Sequence, residues 1–211
     1  MNIIQDNRLI KRSSKQFIDN QIIQNPNWKV LDIGCGFTAN EKANVVCDVQ
    51  DLSNFYKDKK FIKLNYKKLP FSDKEFDFVI ASHVIEHVED VRFFIKELER
   101  VSFKGYIELP TPLEDNLVFE NKNDHIWHLE FNDIENKLLI KKKIQYIEPL
   151  ITVSTAKKLA KFFKQSLILE LFWDNSIEFE LIENNNFKFE KISRLTLMRK
   201  FFSKIIRNLI R

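Results

Sequence analysis

The sequence predicts an α/β fold: a doubly wound, mostly parallel sheet with a C-terminal antiparallel hairpin extension and a terminal basic amphipathic helix. Three observations carry this expectation. Five short β-branched or aromatic runs, KVLDI, NVVCDV, KFIKLN, FDFVIAS and GYIEL, are separated by polar material, which is the texture of buried parallel strands. Between the fourth and fifth, DVRFFIKELERV carries apolar residues at 91, 93, 94, 95, 98 and 101, the spacing of an amphipathic helix. Two of the chain's three glycines, Gly34 and Gly36, follow the first run one residue apart, where the backbone must turn tightly.

In chain order, Ser13 to Ile23 forms a short helix that NPNW breaks before the first strand. Only 11 residues separate Gly36 from Asp48, so at most one helical turn fits before the second strand. Beyond Pro110 the texture changes. HIWHLEFNDIENKLLIKKK reads as two strands around an Asn/Asp/Glu turn, and Ser154 caps a helix through Gln165. LILELFWDNSIEFELIE then reads as a second hairpin turning at Asp174-Asn175-Ser176. The expected division is one domain over 1–190, with its core at 28–112 and hairpins at 125–183, followed by a tail helix over 191–211.

A length of 211 residues suits one domain with a sizeable core, and 44% hydrophobic with 30% charged residues excludes a disordered chain. Cys35 and Cys47 form neither a metal spacing nor a disulfide framework, so a reduced, cytoplasmic compartment is expected. No run approaches the roughly 20 apolar residues of a spanning helix, and no signal-peptide core is present. Of the net +4 charge, six basic residues fall in 194–211 with no acid among them; elsewhere 28 basic residues face 30 acidic ones. Nucleic-acid affinity is therefore not expected of the body.

The chemistry begins at DIGCG. Glycines there let the backbone pass close to a ligand, and Asp32 can face a cationic amine. Asp48, at the tip of the second strand, suits a ribose diol, because both hydroxyls can donate to one carboxylate. A tight βα turn with packing glycines would leave the same short motif. With VLDIGCG, LPFSDKEFDFVIASHVIEHVED and GYIELPTP in this order, residues 28–112 resemble the class I S-adenosylmethionine-dependent methyltransferases. A looser match runs to about residue 183, and a subgroup with a shortened first βα unit is similar. The resemblance implies a Rossmann-like fold and S-adenosylmethionine as cofactor, with S-adenosylhomocysteine as product. It implies that Asp32, Gly34, Cys35 and Gly36 line the methionine part and that Asp48 holds the ribose. Asn65 and Tyr66 stand where an acid often bonds the adenine amine, and Ser82 and His83 flank the transferable methyl. Thr38 replaces the family's third glycine, which together with the missing helix implies a short, more open loop.

All four histidines fall in two pairs. HVIEH matches a zinc-peptidase pattern, and on a helix His83 and His87 could share a metal. A peptidase needs a long helix around that motif, whereas here it leaves a strand. No metal ligand set is assigned, and His87 is expected under the sheet, bonded to backbone. His125 and His128 follow the fifth strand and are the candidate catalytic bases for a hydroxyl acceptor. Strand alternation would send them to opposite sides, so one would reach the pocket. A hairpin-capping role is the other reading of these histidines. Glu108 and Glu114 flank the same mouth, and Lys141–Lys143 reads as a solvated strand end.

In the tail, Leu195, Met198, Phe202, Ile205, Ile206, Leu209 and Ile210 share one face among basic residues. This suits an interfacial helix on anionic lipid, or a packing or dimerising helix with a basic outer face. The expected function is methyl transfer to a small-molecule, glycan or lipid-linked acceptor. The alternative is a non-catalytic methyltransferase-like binding module docked through its C-terminal helix.

Overall fold

The computed structural model describes residues 9–65, 68–183 and 190–209. Its main sheet has seven strands. They are β1 (Leu9–Arg12), β2 (Val30–Ile33), β3 (Val45–Asp48), β4 (Lys60–Lys63), β5 (Phe76–Ser82), β6 (Ser102–Pro110) and β9 (Ile168–Asp174), in the order β1-β9-β6-β5-β2-β3-β4. From β6 to β4 every pairing is parallel, while β9 runs antiparallel to both β6 and β1. A second sheet, β10-β8-β7, joins β7 (Trp127–Asn132), β8 (Lys137–Lys142) and β10 (Phe179–Ile182).

Alternation along the parallel strands feeds two cores. Leu31, Ile33, Val45, Cys47, Val79 and Ala81 enter one face. There they meet Val91, Ile95, Leu98 and Val101 of helix α2 (Val91–Val101), together with Leu129, Leu138 and Ile140 from the second sheet. Val30, Val46, Phe78, Ile80 and Tyr106 enter the other face against Ile18 and Ile22 of α1 (Lys15–Gln24). Both helices start at side-chain caps: Ser14 Oγ accepts from Phe17 N–H at 3.2 Å, and Asp90 Oδ1 accepts from Phe93 N–H at 3.0 Å.

As the residue count implies, no helix forms between Gly36 and β3; residues 34–44 are loop and turn. Elsewhere the structure departs from the sequence expectations. The expected hairpin at β7–β8 is present, but the run 168–183 is not a hairpin. β9 enters the main sheet beside β6, and β10 crosses to the second sheet, where it pairs parallel with β8. The turn residues at 174–176 reverse nothing more than a single bridge, Asp174 to Ser176. β1, with four residues, carries too little pattern to mark a strand in the sequence. Between β6 and β7 lie two short helices, α3 (Pro112–Leu117) and α4 (Asn121–Asp124). Helix α5 (Val153–Leu167) is capped by Thr152 rather than Ser154, and the tail forms α6 (Arg194–Leu209).

Candidate active site

A cleft of about 470 Å³ opens at the carboxyl ends of β2, β5 and β6, with α1 and α5 as walls. Ligands gather at this edge of open parallel sheets because the strand-end loops present backbone groups and side chains together.

At the β2 end, Gly34 has φ +64° and Gly36 φ +48°, values that side chains with a Cβ rarely tolerate. A Cβ on Gly34 would lie 2.5 Å from Val84 Cγ2, whereas one on Gly36 would meet nothing within 4 Å. Gly34 therefore lets the chain pass Val84, and Gly36 leaves open space beside the cleft. The loop lacks a helix but is pinned at three points. Gly34 N–H donates to Cys47 O at 2.8 Å, Tyr56 Oη accepts from Ala39 N–H at 3.0 Å and donates to Gly36 O at 2.8 Å, and Asn40 N–H donates to Asp32 Oδ2 at 2.7 Å. Asp32 is buried, and burial pushes its carboxyl up to about 6 against the opposing pull of the Asn40 hydrogen bond and of Lys15 and Lys59. A buried carboxylate held at one oxygen and facing a cleft is short of a cation.

Asp32, Gly34, Cys35, Gly36, Ser82 and His83 are brought together along this one cleft. Asp48 stands behind them. Its Oδ2 accepts from Gly36 N–H at 2.9 Å and its Oδ1 from Gln50 N–H at 2.8 Å, and it lies outside the described lining. Asn65 is exposed and also outside that lining, and Tyr66 lies outside the described residues.

The far end of the cleft is rich in titratable groups. His83 follows β5 with φ +54°, a conformation uncommon for a non-glycine residue. Its N–H donates to Glu108 O at 2.8 Å; Nδ1 lies 3.3 Å from Glu86 Oε1 and Nε2 lies 3.6 Å from Glu108 Oε1. Burial pulls the imidazole pKa down, but Glu86, Glu108 and Glu114 outweigh it and the net direction is upward. Glu114 is itself raised, first by burial and then by neighbouring acids. The Tyr106 hydroxyl lies 2.8 Å from both Glu108 and Glu170 and donates to one at a time.

His125 and His128 do not diverge. His125 caps α4, two residues before β7 begins, so strand alternation does not govern it. Both imidazoles turn to the buried Asp115: His125 Nδ1 is 2.6 Å from Oδ1 and His128 Nε2 is 3.3 Å from Oδ2. Lys143 joins at 3.3 Å and is almost fully buried, not a solvated strand end. Asp115 is accordingly held below the ordinary carboxylate range, its burial overcome by the two histidines and Lys143. His125 lines the cleft, while His128 is 1% exposed and does not reach it, which removes it as a base. In HVIEH, residues 85–87 form a single 3-10 turn rather than a long helix. His87 is exposed rather than packed under the sheet, though its Nδ1 does meet a backbone oxygen, Asp124 O, at 3.0 Å.

Sequence reasoning missed the walls. Lys15 and Asp19 reach the cleft from α1, and Val153, Ala156, Lys157 and Ala160 from α5. Ala156 and Ala160, small residues one helical turn apart, were the one available signal. Asp115 had none, because its role depends on partners 10, 13 and 28 residues away.

Comparison with known proteins adds to this geometry. An uncharacterised protein of Methanocaldococcus jannaschii, MJ0638, is 31% identical over 177 residues, covering 69% of this chain and 78% of that protein. A ubiquinone biosynthesis O-methyltransferase of Pelagibacter ubique is 31% identical over 106 residues, covering 43% of this chain and 44% of that enzyme. The chain thus spans under half the length of that curated relative. Among solved structures, the PH0226 protein of Pyrococcus horikoshii superposes with TM-score 0.43 at 19% identity, over 77% of this chain and 92% of that one. The methyltransferase-domain family matches residues 31–106, the strands that build the cleft, and the chain belongs to the class I S-adenosylmethionine-dependent methyltransferases.

Proposed function

We propose that the protein methylates a hydroxyl acceptor held at the far end of the cleft, between Ser82, His83, Glu108, Glu114 and His125. The observation that carries this reading is one continuous cleft with a glycine loop and a cation-seeking carboxylate at one end and imidazoles at the other. The relative's name, an O-methyltransferase, supports an oxygen acceptor.

S-adenosylmethionine, when bound, supplies a methyl group already activated by its sulfonium. The Asp32 carboxylate fits the cofactor's ammonium, and the open space at Gly36 fits its methionine backbone. Asp48, tied to the loop through Gly36, would take the ribose, and Asn65 would take the adenine edge with Tyr66. Much of the chain's contribution is positioning, since holding two reactants in line lowers the barrier substantially. As the acceptor oxygen takes up the methyl group, its hydroxyl proton would pass to an imidazole. His83 is that base in this reading, with Glu86 and Glu108 orienting it and sharing its positive charge.

The test is calorimetric titration of the full chain with S-adenosylmethionine and S-adenosylhomocysteine. Both should bind, and Asp32→Ala should weaken binding by about 10- to 100-fold, the value of a hydrogen bond to a charged group. Absence of binding to the parent protein would replace the enzyme reading with that of a non-catalytic module.

A specific observation favours a membrane location. Leu195, Met198, Phe201, Phe202 and Ile206 of α6 are all more than half exposed, on a helix whose described charges are all basic. Among the described residues no helix is long and apolar enough to cross a membrane. We propose that α6 lies on the surface of an anionic bilayer and brings the cleft to a lipid-linked or membrane-dissolved acceptor.

A further inference from the structure

Behind the far end of the cleft, Glu86, His87 and His125 each turn one ligand-capable atom toward the others, and these atoms all lie within 4.8 Å. Glu86 is 0% exposed, and among the described residues neither carboxylate oxygen accepts a hydrogen bond. Its ion-pair contact among those residues is with His83, whose Nδ1 is 3.3 Å from Oε1. A carboxylate removed from water this completely is costly unless cations or donors surround it, and one half-exposed imidazole at that distance meets part of the need.

The two histidines are oriented from outside the cluster. His87 Nδ1 meets Asp124 O at 3.0 Å, and His125 Nδ1 meets Asp115 Oδ1 at 2.6 Å. For His87 the backbone acceptor on Nδ1 leaves Nε2 as a neutral ligand atom, while the Asp115 contact orients the His125 ring. Asp115 is in turn held by His128 and Lys143, so the outer partner of His125 is itself fixed. The three residues come from two elements: Glu86 and His87 from the turn after β5, and His125 from the cap of α4.

We propose that Glu86, His87 and His125 bind a divalent first-row transition-metal ion. Two imidazoles and one carboxylate are the donor set of zinc, manganese, iron(II) and cobalt(II), while magnesium and calcium prefer oxygen throughout. His125 also lines the cleft, so an ion held here would lie at the cleft wall. The site stands on its own geometry and does not require the methyl-transfer reading.

The test uses the full chain, stripped with a chelator and titrated with cobalt(II) by visible absorption and with zinc(II) by calorimetry. One ion per chain is expected. His87→Gln, a change at an exposed side chain, should weaken binding at least about tenfold, as even outer-partner losses do at metal sites. Glu86→Gln, similar in shape, should weaken it comparably, and near-ultraviolet circular dichroism checks that each variant is folded. Failure of the parent protein to bind stoichiometrically overturns the proposal. So does parent-like binding by a folded His87→Gln or Glu86→Gln protein.

Discussion

Burial raises Asp32 from an ordinary 3.8 to about 6, so across that interval the folded chain holds more protons than the unfolded one. Stability therefore falls as pH rises through this window, and above it the charged carboxylate costs about 3 kcal/mol, at about 1.4 per pKa unit. Asp32→Asn, which keeps an oxygen for Asn40 N–H, should be more stable than the parent protein at pH 8. The gain should vanish below about pH 4, where both proteins are neutral at this site. Urea unfolding at the two pH values checks this, and a difference independent of pH would contradict it. His83 makes the complementary case. Its left-handed backbone carries a strain of about 1 kcal/mol or more, held by Glu108 O and two carboxylates. With its pKa above the ordinary 6.5, methylation of a hydroxyl acceptor should rise with pH through a value higher than 6.5. His83→Gln should lower the rate and flatten that limb; an unchanged profile would remove His83 as the base.

At the scale of elements, α2 is held by more than its apolar stripe. Glu97 is buried and accepts from Leu69 N–H at 2.7 Å, and Arg100 bonds it through both Nε at 2.6 Å and Nη2 at 2.7 Å. Arg100 also donates to Phe71 O and Leu69 O, so one guanidinium ties the helix to the segment before β5. Removing it leaves a buried carboxylate without its cation. Arg100→Ala should destabilise the fold by about 3 kcal/mol, measured by denaturant midpoint, and a loss under about 1 kcal/mol would mean solvent replaces the pair. The helix itself was readable, because Val91, Ile95, Leu98 and Val101 repeat at its period. The pair was not, since Leu69 and Phe71 lie about 30 residues away in a segment without periodicity. The same limit explains β9 and β10. Alternate burial of Leu169, Leu171 and Trp173 marks a strand, but pattern alone cannot say which neighbour accepts its hydrogen bonds.

For the whole molecule, α6 joins the body at its beginning. Arg194 N–H donates to Glu148 at 2.8 Å, and its guanidinium lies over the Phe119 ring. Beyond that point its basic and apolar side chains are exposed through residue 208, except for the half-buried Leu197. Each basic residue near an anionic bilayer contributes about 1 kcal/mol, an attraction that salt screens. The full chain should therefore co-sediment with phosphatidylglycerol vesicles at low salt, less so at high salt, and weakly with neutral vesicles. Deleting 194–211 should abolish sedimentation and leave cofactor titration unchanged. Undiminished sedimentation of the truncated protein would locate membrane binding elsewhere or show it to be nonspecific.

The sequence by itself determined the parallel strands, α2, the glycine loop and the family, because each rests on contacts or periodicities local to a few residues. It also announced the shortened connection after Gly36 through residue count alone. The tertiary structure alone decided that β9 enters the main sheet, that α5 walls the cleft and that His128 is buried away from it. It also decided that Glu86, His87 and His125 meet, and that Asp115 gathers His125, His128 and Lys143. These are long-range choices among partners that are chemically equivalent along the chain. Burial and hydrogen bonding select among them only once the sheets have packed.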